Sequence, residues 1–341
     1  MPGKTRATAR RRRAGWALVF GALWLFVSGN LGFAQQLPHL QKMPADLLRY
    51  TGGARPDADG MVAYNRGGFK SPEFQRGAMH SLVRAVVRGD RAAIDEAWRA
   101  IDATFKQQTD AGNFGRQGQP HGGPSAVAFW LADLGQAILV LRESRLAPDY
   151  QDRIDRLLPK IQRAALWLAE PRRQDRLKRE DADAPNRLLF DALAYGLSGV
   201  LTNQQPLKDA GRRFVDLAMA QFRASDGVFL EKGGSDSSYQ AVAALNLQVW
   251  LLYFPDPKLD EAASAAVRWE LGRIKPDGQV DVTGNTRTGL GQEQWMGHSK
   301  GVNLSEVTLC LLYDYARNDR RQSLDAARRI VQRRQSPESR N

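Results

Sequence analysis

A tyrosine, a lysine and three carboxylates crowd into Asp226-Gly-Val-Phe-Leu-Glu-Lys-Gly-Gly-Ser-Asp-Ser-Ser-Tyr239, just ahead of an apolar run over 240–254. Tyr239 opens that run, Lys232 stands seven residues before it, and Glu231 and Asp236 flank the paired glycines. A phenol titrates near pH 10 and serves as a base near neutrality only beside a cation. Lys232, Arg187 and Arg287 are the cations on offer. A helix N-terminus adds a modest preference for phenolate. Two converging carboxylates would instead suit hydrolysis, with Glu231, Asp236 and Glu293 as candidates.

Other reactive groups fall in glycine-rich stretches or at helix starts. Asn186 and Arg187 open the apolar run 186–201, residues 109–123 carry Asn113, Arg116 and His121, and residues 277–301 carry Asn285, Arg287, Glu293, Trp295, His298 and Lys300. Trp295 could stack on the apolar face of a sugar, or simply pack its loop. His298, in Trp-Met-Gly-His-Ser-Lys, has polar neighbours unlike those of a core histidine. The plainer readings stand beside these: Asn186 after Ala184-Pro185 as a helix cap, Lys232 as a solvated loop lysine, Asp191 and Tyr195 as a satisfied core pair.

The elements that must position these residues are helices. Apolar residues recur with helical period from Ser71 to Gln335, in about ten segments: 71–87, 91–107, 124–143, 148–170, 186–201, 206–223, 236–254, 258–273, 302–317 and 322–335. No segment alternates with period two for more than a few residues. Residues 35–70 read as irregular, with one short helix around 44–50, and the charged run 171–183 reads as a solvated connection. Short and long connections alternate, as in stacked helical hairpins. Three long loops open alike, at Asp110-Ala-Gly-Asn-Phe-Gly, Asp226-Gly-Val-Phe and Asp277-Gly-Gln-Val. A hairpin-plus-loop repeat predicts an all-α fold, an (α/α) toroid either incomplete or of six hairpins, over 71–335. In such a toroid the long loops gather at one end and line a cleft.

Asn186 at one helix start, 53 residues before Tyr239 at another, with Lys232 just ahead of the tyrosine, resembles the alginate lyases and, more loosely, the heparinase II/III-like lyases with an (α/α) toroid. Those families place an asparagine–histidine pair at one helix start and an arginine before the tyrosine; this chain has Arg187 and Lys232 at those places. The resemblance implies β-elimination on a uronate-containing polysaccharide. Asn186 would hydrogen-bond the uronate carboxylate, Lys232 would assist, and Tyr239 would take the C5 proton, protonate the leaving oxygen, or both. A histidine base would come from His298 or His121. Arg187, Arg287, Trp295, Glu231 and Asp236 would complete the substrate contacts. The rival classes are a glycoside hydrolase on the same scaffold and a non-catalytic binder of acidic glycans.

Composition sets the remaining bounds. Lys4, Arg6 and Arg10–Arg13 precede an apolar run over 14–29 and small residues at Gly32 and Ala34, so residues 1–34 are expected to be a secretory signal, with the mature chain starting at Gln35 in the periplasm or outside the cell. Six of the 49 basic and none of the 37 acidic residues lie there, which leaves a mild positive excess, concentrated between Arg317 and Arg340. No basic module interleaved with aromatics points to nucleic acid. Cys310 is the single cysteine, so no internal disulfide forms, and His39, His80, His121 and His298 lack metal-ligand spacing; neither metal nor cofactor is expected. The expected partner is an acidic polysaccharide, with membrane contact only through the signal segment, a monomeric state, and a disordered tail over 336–341.

Overall fold

The structure, a computed structural model, describes residues 35–115, 123–291, 293–295 and 297–336, with Trp295 described through its backbone only. Thirteen helices carry the described fold. They are α1 (Gln36–Lys42), α2 (Ala45–Leu48), α3 (Arg76–Arg88), α4 (Arg91–Phe105), α5 (Pro124–Arg142), α6 (Ala147–Leu168), α7 (Pro171–Glu180), α8 (Pro185–Leu201), α9 (Gln205–Met219), α10 (Ser237–Tyr253), α11 (Pro257–Gly272), α12 (Leu304–Asn318) and α13 (Arg321–Gln335). Two-residue strands add two minimal hairpins, β1 (Phe222–Arg223) with β2 (Val228–Phe229) and β3 (Gln294–Trp295) with β4 (His298–Ser299).

The architecture is an all-α toroid. Helices α3, α5, α8, α10 and α12 pack in succession as an inner ring, and α1 closes it by touching both α12 and α3. Each long inner helix turns back into an outer partner, α4, α6, α9, α11 and α13. The sixth hairpin is reduced to the short pair α1 and α2, with α2 against α13. Sequence composition sets this division. Every residue of α10 is buried and α5 is apolar around most of its circumference, whereas α4, α6 and α9 bury one stripe. α5 is long and apolar enough to cross a membrane, but it lies inside the ring.

Two expectations need correction. Residues 36–42, read as irregular, form α1, because Leu37 and Leu40 bury against the ring. The charged run is not a loop: α7 starts on Pro171, buries Leu177, and keeps its charges on the exposed side.

The Asp-Gly repeat has a packing cause. Gly112, Gly227 and Gly278 adopt φ of 104°, 75° and 83°. A Cβ on each would lie 2.2–2.6 Å from a carbonyl oxygen of the outer helix that follows, at Arg163, Ala265 and Arg329. Gly60, with φ 79°, docks on Arg99 in the same way and is a fourth copy absent from the sequence comparison. These loops are pinned to the outer wall at the end where the inner helices begin.

Candidate functional site

The first turn of α10 and the segment 285–300 build the site together. Asp236 caps α10, accepting from Ser238 N at 3.1 Å and Tyr239 N at 3.2 Å. The same carboxylate accepts from Arg287 N at 2.9 Å, Thr288 N at 2.7 Å and Thr288 Oγ1 at 2.8 Å. Asn285 Oδ1 returns the contact by accepting from Ser237 N at 3.1 Å, and Thr286 N donates to Ser235 O at 3.0 Å. Asp236, fully buried, is therefore a fastener between the two segments, with no face open to a ligand.

That fastening places three side chains on one phenol. The Tyr239 hydroxyl donates to Glu293 Oε2 at 2.7 Å and accepts from Lys300 Nζ. The Arg287 guanidinium lies 4.2 Å from the ring centroid and Lys300 Nζ 4.6 Å. Arg287 is held by two carboxylates, Glu293 at 2.8 Å and Glu231 by a closer contact. Burial, reinforced by the bond to Glu293, pushes the phenol well above its usual range despite Arg287, so Tyr239 rests protonated. Burial would raise Glu293 too, but Tyr239, Lys300 and Arg287 outweigh it and keep this carboxylate below its usual value. Lys300 is lowered by burial, with Arg287 adding to the effect against Glu293 and Glu306. Glu231 rises to about 7 by burial, against the pull of Arg287. Exposure separates the two acids: the Glu231 side chain is 3% accessible and that of Glu293 20%.

The other predicted residues are placed as follows. Lys232, at φ 54°, pairs with Asp183, and its backbone N–H donates to Asp183 O at 2.8 Å. It points to the α7–α8 connection and makes no hydrogen bond to Tyr239. Arg187 pairs with buried Asp181 at 3.2 Å. Asn186 is buried in the first turn of α8, its Oδ1 without a hydrogen-bond partner and its carbonyl accepting from Asn246 Nδ2 at 3.5 Å. Among the described residues no hydrogen bond joins Asn186 to Tyr239. His298 is exposed on the β3–β4 hairpin. Trp295 contributes backbone to that hairpin, and His121 and Arg116 lie outside the described residues.

Sequence reasoning overlooked a second charged group facing the axis. Arg76 Nε donates to Asp133 Oδ2 at 2.7 Å, and His80 Nε2 lies 3.1 Å from the same oxygen. Arg76 also stacks on Phe190 at 4.5 Å. With Glu306 and Asn246 these residues line an axial cavity of about 50 Å³, room for a few waters but not for a pyranose ring. Burial raises Glu306 against Arg76, His80 and Lys300, which links this group electrostatically to the Tyr239 cluster. Two signals were present in the sequence: Arg76 and His80, four apart on one helix face, and Asp133 alone within an apolar stretch. The partnership of Lys300 with Tyr239, 61 residues apart, had no local signal.

No protein-family model matches the chain, and no curated protein does. Solved structures are similar to it at low identity. A UGL variant with dGlcA-Glc-Rha-Glc is 14% identical, covering 87% of this chain and 82% of its own, at a TM-score of 0.48. The unsaturated glucuronyl hydrolase of Bacillus sp. GL1, responsible for the degradation of glycosaminoglycan, is 14% identical over 87% of this chain and 81% of its own, also at 0.48. A sugar epimerase from a ruminal bacterium is 11% identical over 79% of each chain, at 0.46. These likenesses concern chain path, and no residue of the site is assigned from them.

Proposed function

We propose that this protein is a carbohydrate-active enzyme, a polysaccharide lyase that cleaves an acidic, uronate-containing glycan by β-elimination, acting after export. The observation that carries the reading is the Tyr239 hydroxyl, held protonated between Lys300 and Glu293 under Arg287. Lys300 in its neutral form takes the C5 proton of the uronate. The electron pair forms the C4=C5 double bond as the C4–O bond breaks, and Tyr239 gives its proton to the departing oxygen. The Lys300–Tyr239 hydrogen bond then returns the proton from ammonium to phenolate, restoring both groups. Because acid and base touch each other, they approach the sugar from one face, so the elimination is syn. Arg287, with Arg187 on the neighbouring helix start, offsets the uronate carboxylate and so acidifies the C5 proton. The burial that lowers the Lys300 pKa brings its neutral form closer to working pH.

A hydrolase is the second reading, since Glu231 and Glu293 have protonation ranges pushed apart, as an acid and base pair requires. Exposure weighs against it: Glu231 lies beneath Arg287, closed off from a glycosidic oxygen.

The test incubates purified protein with alginate, polyglucuronate, pectate and glycosaminoglycans, and follows the ultraviolet absorbance of the new double bond together with reducing ends. Absorbance that rises with wild type and is lost in Tyr239→Phe and Lys300→Met is the expected result. Reducing ends without absorbance would replace elimination by hydrolysis, and silence on every polymer would remove the acidic-glycan reading.

A further inference from the structure

On the wall of the toroid, away from the Tyr239 cluster, one arginine lacks the partner its burial calls for. Arg84 projects from the C-terminal half of α3 into a cradle shaped for it. Gly53, at φ 116°, has no side chain because a Cβ would fall 2.0 Å from Arg84 Nη2 and 2.8 Å from Ser81 Oγ. The guanidinium donates to Ser81 Oγ at 3.3 Å, while its Nη1 is buried without a partner. Among the described residues no carboxylate pairs with it, and the charge that acts on it is Arg88, of like sign and one turn away. Burial and Arg88 together lower its pKa, which marks an uncompensated charge.

Beside this cradle lies a pocket of about 340 Å³, walled by Arg84, Arg88 and Ser81 and by Ala54, Arg55 and Pro56. Its acids are already engaged. Glu96 takes Arg55 at 2.9 Å, and Asp90, 3.8 Å from Arg88, caps α4 through Ala93 N. Positive charge therefore prevails where Arg84 meets the pocket. A buried charge is retained against its desolvation cost when something binds it, and guanidinium groups match oxyanions in geometry.

We propose that the Arg84–Arg88 pocket is an anion-binding site for a single oxyanion group, a carboxylate, sulfate or phosphate, borne by a glycan or free in solution. It is separate from the proposed elimination chemistry and does not depend on it. Arg84 binds the oxyanion, Ser81 orients the guanidinium, and Arg88 adds charge at the rim.

Thermal unfolding at constant ionic strength tests this, with sodium sulfate exchanged for chloride, and separately with glucuronate or an acidic oligosaccharide. Wild type is expected to show a saturable rise in Tm with sulfate. Arg84→Met is expected to lose that rise and, without anion, to match or exceed wild type in Tm, since an uncompensated charge has gone. Arg84→Lys is expected to keep a response about tenfold weaker in apparent affinity, lacking the two-pronged contact. A response to glucuronate as well as sulfate assigns the site to glycan substituents, and a response to sulfate alone assigns it to a free ion. An equal sulfate response in wild type and Arg84→Met, no response in either, or a lower Tm of ion-free Arg84→Met would each overturn the proposal.

Discussion

At the scale of single residues, the site turns on protons. Tyr239→Phe removes one hydroxyl but leaves Glu293 and Lys300 paired with each other at 3.6 Å. The fold should lose only about 1 kcal/mol, typical of one hydrogen bond. Under the proposed elimination, turnover should fall roughly a hundredfold to ten-thousandfold, as expected when a general acid is lost; product absorbance against enzyme concentration measures it. Glu231 leaves a different trace. Its carboxyl shifts from 4.5 to about 7 on folding, so between those values the native state holds a proton that the unfolded state has released. Stability from this group is present below pH 4.5 and is lost as pH rises through 7, by on the order of 3 kcal/mol in total. Glu231→Gln should flatten that part of the profile, as read by denaturant titration across the window. A slope unchanged by the substitution would mean the proton sits elsewhere, with buried Asp191 and Glu270 the next groups to examine.

At the scale of elements, loops are held by specific fasteners, and their loss should be graded by what each one meets. Gly278→Ala places a Cβ 2.2 Å from the Arg329 carbonyl at a φ of 83°. Both strain and collision apply, and about 3 kcal/mol or more should be lost. Gly284→Ala has a similar φ of 76° but meets nothing within 4 Å, so only the backbone strain of about 1 kcal/mol remains. Chemical denaturation of the pair separates the two terms. Asp236→Ala should be worse for function than for fold. It removes the cap of α10 and frees Arg287 and Thr288 together, so activity should vanish while far-ultraviolet circular dichroism changes little. The same fasteners explain what could be read in the sequence. The long helices were legible because apolar period and Pro or Asp starts are local signals, as at Pro124 and Asp236. The Asp-Gly turns were legible for the same reason. The short α1 was not, because its two buried leucines acquire meaning only against the ring. Within the site, Tyr239, Arg287 and Glu293 stood out by type and place, but the contacts of Tyr239 with Glu293 and of Arg287 with Glu231 run across more than fifty residues, and spacing carries no trace of them. Lys232 was read as a neighbour of Tyr239 because they are close in sequence; the positive φ at Lys232 turns it toward Asp183 instead.

At the scale of the whole molecule, the question is whether the helical hairpins behave as an open array or as a ring. In an open array each hairpin leans only on its neighbours, and damage at one end stays there. Here α1 joins the last inner helix, α12, back to the first, α3. Gln36 on α1 donates to Gln136 of α5 at 3.3 Å and to the Tyr313 hydroxyl of α12, and accepts from the Tyr253 hydroxyl of α10 at 3.1 Å. Glu143 at the end of α5 accepts from Leu37 N at 2.7 Å and from Tyr253 at 2.9 Å. One buried amide thus ties three inner helices to α1. Gln36→Ala should leave Tyr313 without this partner in a buried place and cost about 2–4 kcal/mol, more than a single exposed hydrogen bond. Amide hydrogen exchange checks whether the effect is local. Closure of the ring requires protection to fall by similar factors in α3 and in α12–α13, which lie on opposite sides of the seam, with one unfolding transition retained. If protection falls in α1 and α2 alone, the seam bears no load and the five long hairpins are stable as an open stack. In that case the site at α10 and α12 would be untouched by the substitution. In a closed ring, activity should fall as the α12 end loosens, because Lys300 reaches Tyr239 from the segment that leads into α12.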